Sequence, residues 1–184
     1  MFMPLIVFLL LLQQLETAGP PNAPLDSVAN GIVILEGAVN PQGRMTGIRV
    51  IYGMPAFIQP SLQAVKDWTF APAEGSQRVS ITFLYRTRNL FTDGPYEFNL
   101  PNICCAFPFH IVDPGYPPRS IGEGSVILQV HISPHGVVEG VDVIRPAPSL
   151  TDAAVQAVRR WTFATEGAAT AVVVISFLRP VLYR

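Results

Sequence analysis

His131 and His135 stand four residues apart, and two imidazoles that near could begin a metal site. One falls on an outward strand position and the other in the turn that follows, and no third ligand stands nearby. His110 lies alone between Phe109 and Ile111 and reads as a partly buried histidine. Cys104 and Cys105 are adjacent, so they neither staple distant segments nor show the paired spacing of a zinc site, and they read as buried or half-buried free thiols. The carboxylates Glu36, Glu139, Asp142 and Asp152 come singly on turns and polar faces. No nucleophile sits beside a base, and no phosphate loop or cofactor fingerprint occurs. The expectation is a non-enzyme with no metal and no cofactor.

The elements that carry these residues are written twice. Shifting the sequence by 93 positions sets Gly31–Ala71 on Gly124–Ala164 without a gap, and "WTFA" recurs at Trp68 and Trp161. The first copy has Ala38 and Gln42 where the second has His131 and His135, so the repeated unit does not need the histidines. A unit this long can hold its own core, unlike the shorter repeats of solenoids. Of the 184 residues 49% are hydrophobic and 14% charged, which excludes disorder. The net charge of −1, with no basic stripe, excludes nucleic acid as a partner.

Each copy opens with a strand of period two, Val33, Leu35 and Val39 in the first and Val126, Leu128, Val130 and Ile132 in the second. "NPQG" and "SPHG" turn the chain into a second arm, whose core face is expected to hold Ile48 and Val50, then Val141 and Val143. Gly47 and Gly140 mark bulges in those arms. Leu150, Ala154, Ala157, Val158 and Trp161 then recur at helical steps, with Thr151 or Asp152 as cap, and the first copy keeps Ala64, Val65 and Trp68. The tryptophans read as core. A last strand closes each copy. "RVSITFLYR" alternates, with Ser80, Thr82 and Arg86 on the polar side. "AVVVISFL", from Ala171 to Leu178, does not alternate, so it wants cover on both faces or a partner along its edge.

The fold expected is therefore α+β: two tandem ββαβ modules, each a small antiparallel sheet with one helix packed on one face. Their bounds are 29–88 and 116–184, joined by a segment at 89–115 whose prolines and aromatics predict irregular structure docked on one or both modules. Residues 1–15 are apolar through Leu12, short of the roughly 17 to 25 residues of a membrane span but long enough for the apolar region of a signal peptide. They read as a signal or anchor, and 16–28 as a Pro-rich linker reaching about 40 Å.

With Tyr116, Pro117, Gly124, Val126, Gly136, Leu150, Ala153, Ala154, Ala157, Val158, Arg159, Trp161 and Phe163 in place, the second half resembles the TonB C-terminal domain family over Tyr116 to Leu182. The first copy resembles the same domain from Gly31 to Arg86 but lacks the "YP" lead-in. The resemblance implies a cell-envelope protein, periplasmic, exported or anchored at the inner membrane, and a role as energy transducer in transmembrane transport. It implies as partners an N-terminal peptide of an outer-membrane TonB-dependent receptor and, on the other side, inner-membrane motor proteins. The strand after the helix would take the receptor peptide by β-strand addition, which places partner binding at Val172, Val173, Val174, Ile175, Ser176 and Phe177, with Tyr116 and Pro117 bracing the domain entrance or touching the partner. The short spacer would hold the modules near their own membrane. The alternative is a non-catalytic envelope scaffold in which the modules pair with each other, with a second copy as a homodimer, or with other proteins. A free edge at Ala171 to Leu178 separates the two readings.

Overall fold

The computed structural model of the chain describes residues 14–24, 30–87, 96–98, 105–120 and 122–178. The apolar run at 1–13, Cys104 and the residues from 179 onward lie outside them, as do 25–29 of the expected linker. In chain order the elements are β1 (Leu15–Thr17), β2 (Gly31–Val39), β3 (Met45–Gly53), α1 (Pro55–Val65), β4 (Thr69–Phe70), β5 (Gln77–Thr87) and β6 (Tyr96–Glu97). There follow β7 (Phe107–Ile111), β8 (Gly124–Ile132), β9 (Val138–Arg145), α2 (Thr151–Val158), β10 (Thr162–Ala164) and β11 (Ala169–Leu178).

Both hairpin turns rest on one glycine. Gly43 and Gly136 have φ of 77° and 78°, and a Cβ at either would stand 1.9 Å from the carbonyl oxygen of Phe70 or Phe163. Only glycine fits there, both for its left-handed backbone and for the contact. The Phe70 and Phe163 amides donate back to the glycine carbonyls at 2.9 and 2.8 Å, tying each turn to the strand after the tryptophan.

The two copies do not form separate sheets. Six strands make one sheet in the order β3-β2-β5-β11-β8-β9. β5 and β11 run parallel at its centre, from Ser80↔Ala171 to Thr87↔Leu178, and every other neighbouring pair is antiparallel. Parallel equivalent strands at the junction imply a pseudo-two-fold axis along the strands, which sends the helices to opposite faces. Val172 and Val174 accordingly pack with Phe57 and Val65 of α1 and with Trp68. Ala171, Val173 and Ile175 pack with Ala154 and Val158 of α2 and with Trp161. Ile32, Ile34 and Leu84 of the first copy complete the second copy's core.

This corrects the expectation of two small independent sheets, and it explains the run from Ala171 to Leu178: a central strand covered on both faces has no polar side. It also corrects β5. Ser80, Thr82 and Arg86 alternate with the apolar residues, yet all three are buried, because the other copy's layer lies over them. Val50 and Val143 are exposed at 38% and 44%, against the expectation that they face the core. One of the two register shifts in each hairpin leaves Ile51 or Ile144 as the extra residue, and both are half-buried against the sheet. No side chain caps α2, whose first residue, Thr151, instead accepts a hydrogen bond from the Ala147 amide at 2.9 Å.

The duplication extends further back than side chains reveal. β1 pairs with β4, Leu15 opposite Phe70, and β7 pairs with β10, Pro108 opposite Phe163, again 93 positions on. Trp68 Nε1 donates to the Gly19 carbonyl at 3.0 Å and Trp161 Nε1 to that of Val112 at 2.9 Å, the same spacing once more. The described part of the expected linker is thus docked. Leu15 is buried, and its amide donates to Gln129 Oε1 of the second copy at 2.8 Å. β6 and β7 form a small sheet with β10, and Phe98 meets Tyr52 of β3 edge-on at 4.9 Å, so the described parts of the inter-module segment dock on both copies.

Candidate functional site

A sheet binds an extended peptide where its main-chain N–H and C=O groups lack a neighbour. Val172 to Phe177 do not meet that condition. Their strand pairs with β5 on one side and with β8 on the other, and all six side chains are buried. The free edge expected there is closed, because the first copy's equivalent strand occupies it. Ser176 Oγ lies 2.8 Å from Ser125 Oγ across the β8 pairing.

Tyr116 is half-buried, its ring edge-on to Phe177 at 5.5 Å and its hydroxyl donating to the Gly122 carbonyl. Pro117 turns the chain, its carbonyl accepting from the Ser120 amide at 2.9 Å. Neither belongs to β3 or β9, the outer strands of the six-stranded sheet.

That sheet ends in two rims, β3 and β9, which among the described residues have no second neighbour in the strand order. They are equivalent positions of the two copies and carry the exposed Val50 and Tyr52 on one side, Val143 on the other. Their charges differ. Arg49 of β3 reaches buried Glu36 at 2.5 Å, with Arg78 at 3.4 Å from the other carboxylate oxygen. At the positions equivalent to Arg49 and Glu36, β9 has Asp142 and β8 has Gln129. Asp142 is held at 2.7 Å by His131 Nε2. Sequence reasoning missed both rims as sites. Its usable signal was the pair Gly47 and Gly140: register shifts at or beside these glycines are a device that native sheets place on edge strands.

At the ends of β9 and β11 opens a cavity of about 750 Å³, within the usual range of ligand pockets. Five prolines, Pro20, Pro21, Pro24, Pro146 and Pro148, and Leu178 contribute to its wall. The equivalent positions of the other half are polar. Where the first cavity has Pro20 and Leu178, the counterpart has Asp113 and Arg86, both buried, with Arg86 Nε 3.2 Å from Asp113 Oδ1. The Gly115 amide also donates to that oxygen at 2.8 Å.

Titration is disturbed at Tyr85. Its ring stacks on Phe57 at 4.3 Å and its hydroxyl meets Ser61 Oγ at 2.8 Å. Burial pushes the phenol well above its ordinary range, and the Ser61 hydrogen bond offsets part of that. A neutral phenol locked under a helix serves packing.

The family described as Gram-negative bacterial TonB protein C-terminal matches residues 25–88 and, a second time, residues 114–184. No curated protein matches the chain.

Proposed function

The chain belongs to that TonB C-terminal family, in two tandem copies, and from this premise we propose that it is a non-catalytic, periplasmic protein-binding component of the cell envelope, serving energy-dependent transport across the outer membrane. It captures an extended segment of a partner by strand addition, the N-terminal peptide of an outer-membrane receptor being the partner that family membership favours. The observation that carries this reading is the strand order, which among the described residues leaves β3 and β9 as the outer strands of the sheet. Capture at Val172 to Phe177 would first require unzipping eight residue pairs between β5 and β11 and opening both cores. The working surface therefore moves outward, to Met45–Gly53 and Val138–Arg145.

Titration of isotope-labelled protein with a synthetic receptor N-terminal peptide tests this. Amide shifts confined to β3 or β9 are expected. Shifts centred on β5 and β11 would mean that the seam opens and that the inner strands are the site after all.

The second reading, an envelope scaffold, draws support from the seam itself, since each copy's last strand is spent on joining the other copy. Its signature would be a stable homodimer or higher oligomer in sedimentation equilibrium, with no response to any receptor peptide.

A further inference from the structure

The cavity at the end of β9 is continuous with one of the open rims, because Arg145 is both the last residue of β9 and part of the cavity wall. Side-chain alternation decides what could reach it. Asp142 lies opposite Gln129 and Arg145 opposite Ile127, with Ile144 as the extra residue. Asp142 and Arg145 are thus two ladder positions apart on one face of the sheet, the face of Ile127, and Leu178 of the cavity wall packs with the cluster on that same face. Residues i and i+2 of a strand added to β9 would stand beside them.

We infer that β9 and the proline-lined cavity form one composite site for an extended peptide with a basic residue at one position and an aromatic residue two positions away. The basic side chain meets Asp142, which is exposed and acidic where the other rim has Arg49. The aromatic side chain lies along the stem of Arg145 and enters the cavity. The wall there is preformed: proline rings lose no rotamer freedom on binding, and Leu178 adds an apolar floor. The guanidinium of Arg145, exposed at the mouth, can lie over the ring.

The comparison within the molecule supports a binding role for the hollow. At the equivalent positions of the first copy's half the fold places a buried ion pair, so an apolar wall there is not a requirement of the architecture. It arises from Pro20 and Leu178, which together leave an apolar opening beside a rim. This inference rests on the rim reading given above and narrows it to one rim and one class of peptide.

The test uses two blocked synthetic peptides, acetyl-Thr-Lys-Thr-Trp-Thr-amide and the same peptide with alanine for tryptophan, titrated into the full labelled chain. Both should shift β9 amides, the tryptophan peptide binding roughly tenfold tighter. In Asn22→Trp, which fills the cavity from an exposed position on its wall, that advantage should vanish while the alanine peptide binds as before. Pro148→Trp, also exposed on the wall, serves the same purpose if the first variant perturbs folding. Equal affinities for the two peptides, or an advantage that survives both variants, would overturn the composite site and leave strand addition intact. If neither peptide shifts any β9 amide, the rim reading falls as well, and the composite site with it.

Discussion

The two copies bury the same tryptophan with the same hydrogen bond to a lead-in carbonyl, yet they end differently: the first copy's last strand delivers Arg86 to a buried carboxylate, the second's delivers Leu178 to an open cavity. The shared parts are those that local geometry cannot do without, the turn glycine, the tryptophan and the main-chain clasp between lead-in and following strand. The divergent parts lie at the two symmetry-related junctions between the copies. Divergence there leaves the scaffold intact while giving the halves different chemistry, a buried ion pair at one junction and an apolar cavity wall at the other.

The largest effects should come from the shared parts. Trp68→Ala and Trp161→Ala each remove a fully buried indole and its clasp, at a cost of about 3 to 5 kcal/mol. Because each core takes strands from both copies, calorimetry should show one transition for the whole protein, lowered by either substitution. Two transitions, one of them unmoved by Trp68→Ala, would show that the halves fold separately and would break the comparison at its root.

Next in size is the junction. Arg86→Leu alone strands the buried carboxylate of Asp113 and should cost about 3 kcal/mol. Adding Asp113→Pro copies the other junction, whose equivalents are Pro20 and Leu178, and should restore most of that loss. Chemical denaturation of the two variants measures the difference. A double variant no more stable than Arg86→Leu would mean that the junctions are not interchangeable and that the ion pair has a further structural role.

How much of this could be read beforehand depended on whether the information was local. The turn at Gly43 and Gly136 was legible because turn chemistry is written in four consecutive residues. The stripe ending at Trp161 was legible because helical spacing is too. β11 was half legible: its unbroken apolar run demanded cover on both faces or a partner, but nothing nearby in the sequence says that β5 supplies the partner. The lead-in clasp at Gly19 and Val112 left no trace in side chains, since carbonyl oxygens do the bonding. The site suffered for the same reason. Whether a strand is an edge is a property of the assembled sheet, and the parallel seam moved the edges from Val172–Phe177 to β3 and β9. Val50 and Val143 misled because one extra residue in a hairpin arm reverses which side chains face in.

The smallest effect separates the copies at a single oxygen. Tyr85 and Ser61 of the first copy correspond to Phe177 and Ala154 of the second, so a buried hydrogen bond in one core is plain apolar contact in the other. Tyr85→Phe with Ser61→Ala imports the second copy's solution and should change stability at neutral pH by only about 1 kcal/mol. The difference grows in alkali. The unfolded phenol ionises near its ordinary pKa of 10.0, while burial holds the folded phenol protonated well above that. Between those two values the folded state binds one more proton than the unfolded state, so stability falls as pH rises, by about 1.4 kcal/mol per pH unit. This contribution is fully present below pH 10 and is lost progressively above it. Urea denaturation across that range should show the decline in the wild-type chain and a flatter profile in the double variant. Parallel profiles would mean that the Tyr85 hydroxyl reaches solvent in the folded state, and that the two cores differ less than their residues imply.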